Sequence, residues 1–130
     1  MDRRVVLAGL AGVAAVVIFQ GLSGPAGGYE VRALTAEEMR GAMVVDIRQP
    51  EEWAATGVIE GAKLVTYADA QSFLAQVELQ PGQPLVLVCQ SGGRSGNAAA
   101  ELAGMIANPV ISQDGGMSAW VNAGHPVVMP

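Results

Sequence analysis

Short apolar runs alternate with segments of helical character along most of the chain. The runs are rich in valine, leucine and isoleucine, as is typical of strands. We predict strands at 29–34, 43–47, 62–67, 85–89 and 109–113. The second and fourth of these runs are almost wholly apolar, which indicates strands that are buried on both faces.

Helical signals fill the intervals between these strands. One helix start is marked by a capping box at Thr35 and Glu38, and another by Pro50 with acidic residues after it. We predict helices at 35–39, 49–57, 68–79, 96–107 and 115–124. The alternation predicts an α/β fold, with a small, mostly parallel sheet of four or five strands and helices on both faces.

The first 23 residues differ from this pattern. "MDRR" precedes an unbroken apolar run at 5–19, and small residues follow it. This order is typical of a secretory signal peptide, and the run is shorter than the ~20 residues that a membrane span needs. We therefore expect 1–23 to be a signal peptide, cleaved after Ser23 or Ala26, with an uncleaved N-terminal membrane anchor as the alternative.

The remaining chain divides into a junction and one domain. Residues 24–28, "GPAGG", predict a linker, and 29–130 then form the single folded domain. Arg3 and Arg4 also fit a twin-arginine export signal, so the choice between the general and the twin-arginine route stays open. By either route we expect an exported, periplasmic or extracytoplasmic protein, with an N-terminal inner-membrane anchor if the leader is retained.

Charge restricts the partners of this domain. The chain has 12 acidic and 7 basic residues; without Asp2, Arg3 and Arg4, 11 acidic and 5 basic residues remain, a net charge of −6. This balance argues against nucleic acid and against anionic membrane surfaces, so we expect membrane contact only through 1–23. A small anionic ligand has to be attracted locally. The oligomeric state stays open.

The chain has one cysteine, Cys89, and one histidine, His125. A single cysteine cannot form an internal disulfide, and one cysteine with one histidine cannot hold zinc. We therefore predict no metal site and no cofactor. An odd cysteine in an exported protein indicates an intermolecular bond or a reactive thiol.

Cys89 ends a predicted central strand, at the edge where open α/β sheets bind ligands. Gly92 and Gly93 allow several backbone N–H groups to point at one spot. The helix that Ser95 opens directs its positive end there, and Arg94 adds a full charge. All of these favour an anion, so we expect a lowered pKa and a nucleophilic thiolate. A cysteine that only packs in a glycine-rich turn is the alternative.

Three separated motifs resemble those of the rhodanese-domain sulfurtransferases. "CQSGGRS" (89–95) resembles the family's active-site loop. "VVDIRQPEEWAATGVIEGA" (44–62) resembles its D-x-R-x-x-x-E-[WY] stretch and G-x-I-x-G-A turn, and "DGGMSAWVNAGHPV" (114–127) its late segment. The order is also the family's. Val58 and Glu60 replace the histidine and proline usual in the turn, which puts the rigidity of that turn in doubt.

The resemblance implies a rhodanese-like fold and a sulfurtransferase whose catalytic nucleophile is Cys89. The thiolate would take a sulfane sulfur from a small anionic donor, thiosulfate or a persulfide, and a cyanide or thiol acceptor would remove it. The rest of the loop would bind the substrate: Gln90, Ser91, Gly92, Gly93, Arg94 and Ser95. A sulfur carrier without turnover, or a partner-binding module, is the alternative.

Loop length separates this reading from phosphate chemistry. Four residues lie between Cys89 and Arg94, as in the sulfur-transferring members of the family. Phosphatases and arsenate reductases related to them have one more residue, which widens the loop for a tetrahedral oxyanion. We therefore expect sulfur transfer rather than phosphate hydrolysis.

Asp46 and Arg48 follow the strand at 43–47, at the same sheet edge as Cys89. We expect them to have a supporting role, joining neighbouring loops by charge-assisted hydrogen bonds. Lining of the ligand pocket by this pair is the alternative.

The other candidates have ordinary structural explanations. We expect Trp53 and Trp120 to pack in or beside the core, and His125 to be a surface or structurally bonded residue. Glu51 and Glu52 are expected to favour a helix N-terminus, not to form a general acid–base pair.

Overall fold

The computed structural model describes Leu22 and residues 27–130. Apart from Leu22, the predicted signal peptide or anchor at 1–23 lies outside the described residues, as do residues 24–26 of the predicted linker. Within the described part of the chain, no helix is long and apolar enough to cross a membrane.

In residues 27–130, five strands form one sheet in which every neighbouring pair is parallel. They are β1 (Tyr29–Arg32), β2 (Met43–Asp46), β3 (Lys63–Leu64), β4 (Leu85–Val88) and β5 (Val110–Gln113). Their spatial order is β1-β5-β4-β2-β3, so β4 is the central strand. Because all strands are parallel, their carboxyl ends meet at one edge of the sheet.

Four helices lie in the described part of the chain: α1 (Pro50–Thr56), α2 (Ala70–Val77), α3 (Gly93–Ala103) and α4 (Gly116–Asn122). The first three connect successive strands, and α4 follows β5. Helices α2 and α3 contribute to a buried cluster on one face of the sheet, and α4 contributes to the cluster on the other face. The predicted α/β fold with helices on both faces is confirmed.

The central strand fixes where the loop after it begins. Leu85 and Leu87 belong to the α2–α3 cluster, together with Cys89, whereas Val86 and Val88 belong to the α4 cluster. All four strand residues are fully buried. Burying each such side chain contributes about 1.5–3 kcal/mol to the stability of the fold. Strand β4 therefore holds the start of the loop in a fixed position.

The helix predicted at 35–39 is wrong. The capping box does form: the Thr35 N–H donates to the Glu38 carboxylate at 2.9 Å, and the Glu38 N–H donates to the Thr35 hydroxyl at 3.2 Å. One α-type bond follows, from the Met39 N–H to the Thr35 carbonyl, and the chain then turns through Gly41 at φ +82°. Since β2 begins at Met43, no length is left for a helix.

Among the other predicted elements, a strand and a helix differ most from their expected bounds. The strand predicted at 62–67 has only two paired residues, although the N–H groups of Val65 and Tyr67 still donate to carbonyls at the end of β2. Helix α3 begins at Gly93 instead of residue 96 and ends at Ala103 instead of residue 107. Its glycines concealed the earlier start, because glycine is a poor helix former.

Candidate active site

Cys89 lies directly after β4, at the carboxyl edge of the sheet, where the loop 90–92 leads into α3. Its side chain is buried and points to the face that carries α2 and α3. The structure therefore places the single thiol of the chain at the edge of the sheet that the sequence indicates.

Helix α4 holds the loop from the other side. The backbone N–H groups of Met117 and Ser118 donate to the carbonyl oxygens of Cys89 and Gln90, at 2.8 and 3.0 Å. Gly116 has φ +58°, and a Cβ there would lie 2.3 Å from the Cys89 carbonyl oxygen. Only glycine permits this approach, which explains the second glycine of the pair in the late motif.

The Cys89 sulfur sits among hydrogen-bond donors. The N–H groups of Gly92 and Ser95 point at Sγ, at 3.0 and 3.3 Å, and the Ser95 hydroxyl lies 3.4 Å away. Burial raises the pKa of the Cys89 thiol. Hydrogen bonds from the Ser95 hydroxyl and from the N–H groups of Ser95, Gly92 and Ser91 lower it by more, so the pKa lies below its ordinary value.

A second buried hydroxyl supports the first. Ser112 of β5 lies 2.7 Å from Ser95, Oγ to Oγ, and both serines are buried. The Ser95 hydroxyl has one proton, and the Gly92 carbonyl at 3.3 Å competes for it with the thiolate. When Ser112 donates to Ser95, the Ser95 proton is free to point at sulfur. Ser112 is not among the residues predicted from the sequence, although a serine inside an apolar strand is a signal for it.

Arg94 does not point freely into the site. Its Nη1 and Nη2 donate to Oε1 and Oε2 of Glu52, at 2.7 and 2.8 Å. The hydrogen bond from Arg94 lowers the pKa of Glu52 to about 2, and the same bond raises the pKa of Arg94. Glu52 lies in the first turn of α1, as predicted, but no local pattern indicates that it pairs with the loop.

Arg48 and Asp46 form a buried network behind the loop. Nε and Nη2 of Arg48 both donate to the Asp46 carboxylate, at 2.8–3.2 Å, and Asp46 also accepts the Trp53 indole N–H at 3.1 Å. Nη2 of Arg48 reaches the Gly57 carbonyl at 3.0 Å, and Nη1 reaches the Thr56 hydroxyl at 2.8 Å. The pair thereby joins the end of β2 to the end of α1.

Gln90 connects this network to the loop. Its Oε1 accepts from Nη1 of Arg48 at 2.8 Å, and its Nε2 donates to the Ser118 hydroxyl at 3.0 Å. The amide side chain thus faces the supporting residues and not the thiol. Ser91 and Gly93 are exposed at the outer side of the loop.

The remaining sequence candidates lie apart from the thiol. Trp120 is buried and donates from Nε1 to the Pro126 carbonyl at 2.9 Å. The His125 ring packs on Trp120, with centroids 4.3 Å apart. Within the described residues, no group of three histidine, cysteine, aspartate or glutamate side chains could hold a metal ion.

Among the residues that the structure describes, two cavities adjoin the loop. The larger, of about 420 Å³, is lined by Ile47, Gln49, Tyr67, Arg94, Asn97, Ala98 and Glu101, and is called the α3 cavity below. The smaller, of about 340 Å³, touches the loop at Gln90 and is otherwise lined by Thr56 and residues of α4.

Comparison with known proteins shows which family this chain resembles in sequence. The family model described as "Rhodanese-like domain" matches residues 30–123. The thiosulfate sulfurtransferase GlpE of Pseudomonas putida is 38% identical over 89 residues, which cover 68% of this chain and 78% of that protein.

Solved structures agree on the fold. A rhodanese-related protein from Thermoplasma volcanium superimposes with a TM-score of 0.60 and 24% identity, covering 76% of this chain and 99% of that one. A Rhodopseudomonas palustris protein described as of unknown function and a possible tyrosine phosphatase has a TM-score of 0.57 and 27% identity, covering 71% and 74%.

Proposed function

Because this chain belongs to the rhodanese-like domain family, we propose that it is a sulfurtransferase that works through a persulfide on Cys89. The observation that carries the proposal is the set of donors around Sγ: two backbone N–H groups and one hydroxyl within 3.4 Å. Such donors stabilise a thiolate before the reaction and a persulfide anion after it.

The first half-reaction takes a sulfur atom from the donor. The Cys89 thiolate attacks the outer sulfur of thiosulfate, a new S–S bond forms, and the S–S bond of thiosulfate breaks. Sulfite leaves with the electron pair of that bond. The anionic donor is attracted by the α3 N-terminus and by Arg94, within a domain of negative net charge.

The second half-reaction regenerates the thiolate. Cyanide or a thiolate attacks the outer sulfur of the persulfide, and the electron pair of the broken S–S bond returns to Cys89. The product is thiocyanate or an acceptor persulfide, and no oxidant or reductant is needed. The donor reacts with the free Cys89 thiolate and leaves before the acceptor reacts with the Cys89 persulfide, which predicts ping-pong kinetics.

The test is turnover from thiosulfate to cyanide. We expect the wild-type protein to form thiocyanate and Cys89→Ser to form none, with a thermal unfolding curve close to that of the wild type. Ser72→Ala, which changes an exposed hydroxyl of α2 outside the loop, is the control and should keep the wild-type rate. Equal rates for the wild type and Cys89→Ser would remove Cys89 from the mechanism.

The Arg94–Glu52 ion pair favours a second candidate function, that of a sulfur carrier. Because the arginine is engaged, a free anionic donor meets less positive charge, as would suit a sulfur carrier loaded by another protein. This candidate predicts thiosulfate turnover no faster than that of Cys89→Ser, together with transfer of sulfur from a persulfide-bearing protein.

Phosphate hydrolysis is the other chemistry named for a structural neighbour. The interval of four residues between Cys89 and Arg94 supports sulfur over phosphate. We expect no hydrolysis of an aryl phosphate above the rate of Cys89→Ser.

We also propose that the protein acts outside the cytoplasm. The support is the apolar run at 5–19 behind "MDRR". Fractionation of the producing cells, with mass spectrometry of the N-terminus, separates a cleaved leader from a retained anchor. Recovery of the intact chain from the cytoplasm alone would contradict export.

A further inference from the structure

We propose that the α3 cavity binds the sulfur acceptor, and that this acceptor is a short peptide thiol whose carboxylate lies at Arg94 and whose ammonium lies at Glu101. The inference rests on the proposed function, because it requires a sulfur atom on Cys89. It adds the chemical class of the acceptor and the residues that recognise it.

The cavity follows one face of helix α3, away from the thiol. Arg94, Asn97, Ala98 and Glu101 are spaced by three, one and three residues, which places them on the same side of the helix. The first turn of α3 supplies the N–H group that points at Cys89. Seven residues at 1.5 Å each give about 10 Å between the Arg94 end and the Glu101 end.

The cavity also lies on the face of the sheet to which the thiol points. Its apolar residues Ile47 and Ala98 belong to the same buried cluster as Cys89. The smaller cavity does not, since its Met117 belongs to the cluster on the opposite face. An acceptor that approaches the Cys89 sulfur is therefore better placed in the α3 cavity.

The two ends of the cavity differ in charge. Arg94 uses one N–H of Nη1 and one of Nη2 for Glu52, so three of its five N–H donors remain for a carboxylate. Glu101 is exposed and accepts the Tyr67 hydroxyl. Among the residues that the structure describes, no cation pairs with Glu101, which leaves its charge available to an ammonium group.

The walls and the length fit a peptide. The side-chain amides of Gln49 and Asn97 offer donors and acceptors that complement peptide groups. A separation of about 10 Å corresponds to three extended residues, at about 3.3–3.6 Å each. A single amino acid is too short to reach both ends. Since the reacting thiol has to be near the loop, the cysteine belongs at the carboxylate end.

The transfer itself balances without a further reactant. The acceptor thiolate attacks the outer sulfur of the Cys89 persulfide and forms a new S–S bond. The bond between that sulfur and Sγ breaks, and its electron pair returns to Cys89 as the thiolate. The product is the peptide persulfide.

The experiment compares two acceptors that differ by one charge: the tripeptide Gly-Gly-Cys and its N-acetyl derivative. Each is used with the thiosulfate-loaded full chain, and kcat/KM is measured for acceptor persulfide formation. We expect the free-amine peptide to be better by about fivefold in the wild type, as for an exposed ion pair. Glu101→Gln brings the ratio of the two values close to one.

A charge-matched control is Glu37→Gln, an exposed position in the turn after β1, which keeps the wild-type ratio. A ratio near one in the wild type, or the same raised ratio in Glu101→Gln, overturns the inference. Cyanide turnover in the same preparations separates the two proposals: if it proceeds while the ratio is one, only the acceptor site is wrong. If no persulfide forms on Cys89, the proposed function fails and the acceptor site fails with it.

Discussion

Two arginine–carboxylate pairs lie at the carboxyl edge of the sheet, with similar geometry and very different surroundings. The Arg48–Asp46 pair has an Nη2–Oδ2 distance of 2.8 Å, and its side chains are 0% and 1% exposed. The Arg94–Glu52 pair is equally close, at 2.7 Å, but its side chains are 48% and 29% exposed. The difference decides what each pair can do.

The buried pair belongs to the fold. Besides Asp46, Arg48 binds Thr56, Gly57 and Gln90, so removing it leaves a buried carboxylate without its counter-charge. Breaking the exposed pair costs little stability, because water then solvates both charges. The pair instead changes the net charge that a substrate meets at the site. Arg48 therefore stabilises the structure around the loop, and Arg94 determines the charge at the site.

The largest expected effect comes from breaking the buried pair. We expect Arg48→Ala to lower the free energy of unfolding by about 3–5 kcal/mol, since an unpaired buried charge remains. Arg94→Ala, the matched change in the exposed pair, should lower it by at most about 1 kcal/mol. Urea unfolding followed by circular dichroism measures both. Equal losses would show that exposure does not separate the two pairs.

Glu52→Gln sharpens the comparison on the side of activity. The substitution frees Arg94 from its counter-charge, so kcat/KM for thiosulfate should rise about fivefold at low salt, as expected for about 1 kcal/mol of screened attraction. The gain should shrink as salt is added. A fall in kcat/KM instead would show that Glu52 is needed to hold Arg94 in its working position.

The buried hydroxyls beside the thiol give a smaller effect. We expect Ser112→Ala to raise the pKa of Cys89, because a Ser95 hydroxyl that no longer accepts a hydrogen bond from Ser112 is a weaker donor to the thiolate. Loss of about 0.7 kcal/mol of hydrogen bonding corresponds to about a threefold slower alkylation by iodoacetamide at pH 7.

Charged groups around the thiol have to stay constant in that measurement. Arg94 and Glu52 of the exposed pair, and Arg48 and Asp46 of the buried pair, surround the loop, and Ser112→Ala alters none of them. Ser118→Ala is the control, since it removes a hydroxyl that contacts Gln90 instead of sulfur. The same rate–pH profile for Ser112→Ala and the wild type would show that Ser112 does not act on Cys89 through Ser95.

The smallest effect is a pH dependence of stability. Pairing with Arg94 depresses the pKa of Glu52 from its usual 4.5 to about 2, so the carboxylate stabilises the folded state above pH 4.5. That contribution should fade as the pH falls toward 2. Because the pair is exposed, we expect at most about 0.5 kcal/mol between the wild type and Glu52→Gln at pH 6, and none at pH 2. A difference that persists at pH 2 would contradict the ion pair as its source.

Features encoded by neighbouring residues could be predicted from the sequence, whereas contacts between distant residues could not. Local patterns were sufficient for the alternating elements, for the buried central strand and for the position of Cys89 at its end. Glu52 and Ser112 are separated by 42 and 17 residues from the loop side chains that they bind, and no local pattern encodes such contacts. The helix predicted at 35–39 failed for the opposite reason, because its local signal was real but the next strand left it no length.

The central claim is that Cys89 carries sulfur, and mass spectrometry of the intact protein after incubation with thiosulfate tests it most directly. We predict a gain of about 32 Da, one sulfur atom, on the single cysteine of the chain, which cyanide or a thiol then removes. Cys89→Ser should show no gain. An unchanged mass for the folded wild-type protein, with its thiol free and reactive, would contradict the account.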